Sequence, residues 1–440
     1  MTWNPIEIDS EILAVHAALV PNGAEGEVVL FGGDEHWGAQ AETAGDDSWK
    51  KTRVYDVASH SLVAGQVQSP DSDVFCGHHV FIGDGRLLIA GGTSKWPESD
   101  GHNHGLDFLG HSRCWLYNPR QREWIETTRL NRNPDQPDEP RSGGRWYPGL
   151  STMGDGSAVA FFGHLDQNDF RHRNTLPERY YPSGHHWVNL PKVMGKSGAP
   201  NTGGRRYLFF PRAYVLPNGK LFSSTPLPVD FEAQAGSDDG PHFSTAYDVN
   251  TGDYTTPRAA SADGVHGGWD YPSVLLPLLP VDGNYNARAM FWNGTNLRWI
   301  DIDAATPSWT NTGPRDPAVA SRTRRYCNMV SLPTGQICVV GGMHNADPED
   351  PVNQVELYTP DIDWATNQYG TGNGTWSLEA DSSINNRNYH STALLLPNGK
   401  VWVAGSSIGA NSGNPASVGI LKIELYEPPY IAVANRIVIQ

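Results

Sequence analysis

The chain has 440 residues, a formal net charge of −16 and only 18% charged residues. No Lys/Arg stripe is present that could neutralise a phosphate backbone, which excludes nucleic acid as a partner. The longest apolar run, Val274-Leu275-Leu276-Pro277-Leu278-Leu279-Pro280, is too short and too broken by proline to span a membrane. The 47 Gly, 33 Pro and 15 Trp suit a turn-rich, all-β protein packed on aromatic rings. Four cysteines, Cys76, Cys114, Cys327 and Cys338, are not a disulfide framework in a chain of this length. The opening Met1-Thr2-Trp3-Asn4-Pro5 lacks a basic region followed by an apolar core, so no secretory signal is expected. That places the protein in the cytoplasm if the chain is complete, and outside the cell if it is a processed or truncated form.

In chain order, seven turn signals follow: Pro21-Asn22-Gly23, Asp84-Gly85, Asp155-Gly156, Asn218-Gly219, Asp282-Gly283, Thr334-Gly335 and Asn398-Gly399. Their spacing runs from 52 residues (Gly283 to Gly335) to 71 (Gly85 to Gly156). Short apolar strands follow them, including Val28–Gly33, Leu87–Gly92, Cys338–Gly342 and Val401–Gly405. A second repeat interleaves, with an aromatic near a strand end at Tyr55, Tyr117, Tyr247, Tyr358 and Tyr426; a Trp closes the next strand at Trp124, Trp309 and Trp376. Strand, hairpin, strand, loop and final hairpin make one four-stranded blade. Asn-Gly and Asp-Gly are expected to supply two central turn residues at positive φ. The fold predicted is an all-β, seven-bladed β-propeller of the kelch type. The fifth repeat is the weakest, with its turn displaced in Leu279–Tyr285. One propeller is expected over residues 1–427, the N-terminal segment completing the last blade, with a short tail over 428–440. Polar inserts at 94–111, 131–144, 191–204 and 408–417 read as loops shaping one face.

Propeller symmetry brings matched positions to one axis. Nine residues before the turn glycine lie Cys76 (from Gly85), Tyr147 (from Gly156), Tyr326 (from Gly335) and His390 (from Gly399), the last preceded by Tyr389. These residues are expected to converge at one depth. Cys114, Cys327 and Cys338 read as buried thiols, Tyr326 as pocket lining, and His102-Asn103-His104 and His185-His186 as solvated loop residues. The sequons Asn293-Gly294-Thr295 and Asn373-Gly374-Thr375 matter only in a secreted protein.

The segments Phe75-Cys76-Gly77-His78-His79, Gly144-Arg145-Trp146-Tyr147-Pro148, Asn388–Gly399 and Tyr426-Glu427-Pro428-Pro429-Tyr430 resemble the propeller of the galactose oxidase and glyoxal oxidase family of copper radical oxidases, in order along nearly the whole chain. The resemblance implies copper bound by Tyr147, Tyr389 and His390, with a Cys76–Tyr147 thioether carrying a stable radical. Cys76, Tyr147 and Tyr389 would then be the catalytic residues, Tyr389 acting as base toward the substrate hydroxyl. Imidazole and phenolate donors suit tetragonal Cu(II). The implied reaction oxidises a primary alcohol, aldehyde or sugar with O2 to give H2O2; the partners are a small-molecule substrate and O2. The family's C-terminal sandwich domain, with its further histidine ligand, would begin at about 428. The chain runs only to Gln440, leaving His78, His79, His164 and His344 as candidate substitutes. Copper would then bind more weakly than in a version extended by that domain. The alternative reading is a non-catalytic kelch propeller that binds a ligand or protein partner on its loop face. The sequence carries no indication of oligomeric state.

Overall fold

Seven antiparallel sheets, each of four principal strands, follow one another along the chain. In the computed structural model the described residues are 3–32, 51–95 (except 66), 109–132, 134, 142–163, 174, 176–191, 210–228, 242–255, 271–281, 284–383 (except 348), 385–406 and 419–433. The first strands of the seven blades are His16–Val20, His78–Phe81, Gly149–Thr152, Ala213–Val215, Ser273–Leu275, Asn328–Ser331 and Ser391–Leu395. They meet between blades 2 and 3, 3 and 4, 5 and 6, 6 and 7, and 7 and 1, so they line the inside of a ring. The protein is an all-β, seven-bladed propeller, and its described residues include only two short 3-10 turns, His344–Ala346 and Pro429–Ala432.

The ring closes through its N-terminus. Trp3–Asp9 pairs antiparallel with Lys422–Tyr426 as the outermost strand of blade 7. Trp3 is buried against Tyr426, ring centroids 5.4 Å apart. Replacing Trp3 with alanine should therefore cost about 3 kcal/mol. A urea titration should show a lowered midpoint with an unchanged slope.

Packing follows from period-2 strands that are buried on both faces. Among the described residues, seven apolar clusters sit at the junctions between consecutive blades, one at each. Leu88, Leu116, Leu150 and Ala160 join blades 2 and 3, for example, and Val28, Leu30, Trp402 and Leu425 join blades 1 and 7. The repeated third-strand tyrosines belong to these clusters, and the fourth-strand tryptophans pack on them: Trp124 on Tyr117 and Trp376 on Tyr358, both at 5.1 Å. Cys114, Cys327 and Cys338 are free, buried members of the same clusters.

The turn chemistry differs from the sequence expectation. Only the glycines (Gly23, Gly85, Gly156, Gly219, Gly335 and Gly399) sit at positive φ, between 68° and 87°. The preceding Asp84, Asp155, Asn218 and Asn398 are not at positive φ and cap the turn with their side chains instead. Asp84 Oδ1 accepts from Arg86 N–H at 3.0 Å, and Asn398 Oδ1 from Lys400 N–H at 3.1 Å. The fifth turn is displaced because blade 5 inserts an extra hairpin, Leu279–Val281 paired with Asn284–Asn286, between its first two strands. Residues 282–283 themselves lie outside the described residues.

Candidate metal and radical centre

Just before the first strand of five blades, the backbone adopts a left-handed conformation at a residue that is not glycine. These residues are Cys76 (φ 61°), Tyr147 (58°), Phe210 (45°), Tyr326 (60°) and His390 (61°). Bulky side chains are rare there, and such strain collects at sites where the surrounding structure holds it in place. All five lie nine residues before a turn glycine. Phe210 satisfies the same offset from Gly219, so the spacing that marks the other four could have found it.

Backbone hydrogen bonds link these positions from blade to blade. Tyr147 N–H donates to the Cys76 carbonyl at 2.9 Å, and Phe210 N–H donates to the Tyr147 carbonyl at 3.3 Å. The side chains meet accordingly. The Tyr147 and Tyr389 hydroxyls are 2.9 Å apart and hydrogen-bonded. Trp146 and Phe210 each pack on the Tyr147 ring at 4.2 Å. His390 lies against Tyr389 at 3.6 Å and edge-on to Phe75 at 5.2 Å; Tyr326 packs on Tyr389 at 4.9 Å. Phe75, Cys76, Trp146 and Tyr147 form a buried cluster of their own. Burial, then the neighbouring Cys76 thiol and Tyr389, hold the Tyr147 phenol well above its ordinary value of 10. Without a cation beside it, this phenol keeps its proton.

The structure thus brings Cys76, Tyr147, Tyr389, His390 and Tyr326 together. Tyr326 is half-buried wall, as expected of pocket lining. The polar inserts leave and return at this same end of the ring, since first strands begin where second strands end; most of their residues lie outside the description. His185 and His186 sit at the far edge of blade 3, against Tyr180 and Tyr181. His102, His104 and His164 fall outside the described residues.

The other candidate imidazoles have their own partners. His78 Nδ1 accepts from Leu150 N–H at 2.9 Å, and His344 Nδ1 accepts from Thr323 N–H at 2.9 Å. His79 faces His16, with Nδ1 atoms 3.3 Å apart. The sequence reading missed His16. It stands seven residues before Gly23, as His78 stands seven before Gly85, and it is close enough to feel the charge of His390.

The donor set supports copper by its chemistry. Two phenol oxygens within hydrogen-bond distance and a neighbouring imidazole are ligand types suited to tetragonal Cu(II). Among the described residues no group of three or more His, Cys, Asp and Glu side chains could hold a metal, so this mixed phenol and imidazole cluster is the candidate centre.

Fold and site together define a seven-bladed propeller with an aromatic, sulfur-flanked cluster at its axis. Comparison with known proteins places it further: the chain is galactose oxidase- and glyoxal oxidase-like. It is 23% identical to a galactose oxidase of Gibberella zeae over 447 aligned positions, covering 98% of this chain and 55% of that protein. A shorter match, 30% identical over 155 residues, is to aldehyde oxidase GLOX1 of Arabidopsis thaliana, covering 33% of this chain and 22% of that one. A solved structure described as a novel fungal alcohol oxidase of the AA5 family, in complex with copper, superposes with a TM-score of 0.63 at 18% identity. That superposition covers 99% of this chain and 78% of the other. The chain spans about half the length of the galactose oxidases it matches. No family model matches.

Proposed function

We propose that the chain carries the propeller part of a copper radical oxidase, oxidising a primary alcohol, aldehyde or sugar while O2 becomes H2O2. The observation that carries this reading is the hydrogen-bonded Tyr147–Tyr389 phenol pair, with Cys76 on one side and His390 on the other. Residues 1–427 would form the propeller and 428–440 a tail.

Tyr147, Tyr389 and His390 would hold the metal, which when bound supplies one-electron redox chemistry beside an oxidisable tyrosine. Cys76 would join the Tyr147 ring through a thioether: the S–H and one ring C–H are lost, the S–C bond forms, and O2 takes the two hydrogens. Trp146 and Phe210 cover the ring and keep water from it. Tyr389, half-buried at the edge of the cluster, would accept the proton of the substrate hydroxyl. In the net reaction a primary alcohol loses two electrons and two protons to give the aldehyde, and O2 gains both pairs as H2O2.

Copper content and H2O2 release, measured against a panel of primary alcohols, aldehydes and sugars, test the proposal. The expected result is about one copper per chain and peroxide formation with at least one class. A chain that takes up no copper and releases no peroxide would leave the propeller as a binding module instead.

A further inference from the structure

We propose that three buried arginine–glutamate pairs, Arg145–Glu178, Arg324–Glu356 and Arg387–Glu424, are positioning devices, each setting one tyrosine of the axial cluster. Only the copper arm of the test below rests on the function proposed above.

The three arginines stand two residues before a cluster tyrosine, in Arg145-Trp146-Tyr147, Arg324-Arg325-Tyr326 and Arg387-Asn388-Tyr389. The three glutamates stand two residues before a core tyrosine of the third strand of the same blade, in Glu178-Arg179-Tyr180, Glu356-Leu357-Tyr358 and Glu424-Leu425-Tyr426. Arg145, Arg324, Arg387, Glu178, Glu356 and Glu424 are all buried, with 0–1% exposure. Arg145 Nη2 reaches Glu178 Oε1 at 2.7 Å, Arg324 Nη1 reaches Glu356 Oε2 at 2.5 Å, and Arg387 Nη2 reaches Glu424 Oε2 at 2.6 Å.

Each guanidinium also grips the backbone around it. Arg145 donates to the carbonyls of Phe162 and Leu176, Arg324 to those of Gly341 and Gln354, and Arg387 to those of Gly405 and Lys422. The main chain of two of these arginines rests on the glycine doublet of the preceding blade. The Arg145 carbonyl accepts from Gly92 N–H at 3.0 Å, and the Arg387 carbonyl accepts from Gly342 N–H. A Cβ added at Gly91 would lie 2.3 Å from the Arg145 carbonyl oxygen, and one at Gly341 would lie 2.1 Å from that of Arg387.

Arg145 and Arg387 are therefore fixed at both side chain and main chain, and Arg324 at its side chain. The left-handed turn that follows each within three residues has little freedom to relax, which is what a strained site backbone requires. A charged pair is the suitable clamp. The guanidinium fork fills several acceptors at once, and the carboxylate keeps that buried fork from standing uncompensated. The device occurs in blades 3, 6 and 7, which carry Tyr147, Tyr326 and Tyr389; in blade 6 the glutamate is shared, since Arg315 Nε and Nη2 also donate to Glu356 at 2.8 and 2.7 Å. The tyrosines of blades 3 and 7 belong to the proposed ligand set and that of blade 6 does not, so the third copy is a built-in control.

The test uses the full chain labelled with 3-fluorotyrosine, its 19F resonances assigned by Tyr→Phe changes at 147, 326 and 389. In the metal-free protein, Glu178→Gln should displace the Tyr147 resonance most, Glu356→Gln that of Tyr326, and Glu424→Gln that of Tyr389. In the copper arm, Glu178→Gln and Glu424→Gln should weaken Cu(II) binding about 10- to 100-fold, as loss of a group supporting a ligand does. Glu356→Gln should leave it unchanged. A Gln variant that fails to fold is replaced by the Glu→Asp change, which keeps the charge and shortens the reach. The proposal is overturned if all three resonances move together whichever glutamate is changed, or if none moves in a folded variant. If the unaltered chain takes up no Cu(II), the copper reading fails, while the fluorine pattern still decides whether the pairs position the tyrosines.

Discussion

Tyr147→Phe is expected to reduce peroxide production by roughly 10³-fold or more while leaving the propeller folded. The substitution removes one oxygen from a ring whose packing against Trp146 and Phe210 is otherwise kept. It deletes the hydrogen bond to Tyr389 and one of the two proposed phenol ligands. The Tyr147 hydroxyl is held in a buried setting where its proton is hard to lose, so dropping it also removes a polar group from the core. Thermal stability should therefore change little, and by far less than activity. The check is H2O2 formation per copper for both proteins, beside their unfolding curves. Equal loss of activity and stability would mean that the residue supports the fold rather than the chemistry.

The second large effect is on acid stability. Burial is the first cause holding His78 at about 3 and His79 and His111 at about 4, and His16 is also held well below its ordinary value. His78 and His79 add a like-charge penalty to one another's neighbourhood, since His79 lowers His78 and both lower His16. All four are neutral in the folded chain, whereas in the unfolded chain they protonate near pH 6.5. The unfolded state therefore binds more protons as the pH falls below 6.5, and stability is lost until each folded-state value is reached, about pH 4 for His79 and His111 and about pH 3 for His78. For His79 and His111 the drop is on the order of 3 kcal/mol each. Guanidinium unfolding at pH 7 and at pH 4.5 should show a large fall in midpoint. His79→Gln, which cannot charge, should flatten that fall. A midpoint unaffected by pH across this window would contradict the burial of these imidazoles.

The propeller was legible in the sequence because its punctuation is chemical. A turn needing one residue at positive φ shows itself as glycine, and six of the seven turn glycines appear at that conformation. Blade 5 blurred the period because an extra hairpin stands between its first two strands. In the described turns the residue before the glycine was misassigned. Asp84 and Asn398 act through a side-chain hydrogen bond rather than a left-handed backbone, and composition alone does not separate the two roles. The glycine doublets were read as strand endings. Their reason is tertiary: the next blade's arginine carbonyl presses where a Cβ would be.

In the candidate site, the nine-residue offset brought forward Cys76, Tyr147, Tyr326 and His390 because equal offsets in superposable blades mean equal depth. Phe210 obeys the same offset but was not brought forward with them. His16 was hidden as well. It lies at the start of a strand in blade 1, and only ring closure brings it near His390. Arg145, Arg324 and Arg387 were the least legible. Arginine ordinarily marks a surface, and nothing local in the chain announces that a glutamate more than 30 residues away will bury it.

The central claim is that Tyr147 and Cys76 form one redox unit beside Tyr389 and His390. Its most direct test is a peptide map of the full chain after incubation with Cu(II) in air, compared with the same chain kept metal-free and reduced. The account predicts that the Cys76 and Tyr147 peptides appear as one cross-linked species lacking two hydrogens, and that Cys76 no longer reacts with thiol reagents after unfolding. A fully reactive Cys76 thiol and two separate peptides after copper treatment would contradict it.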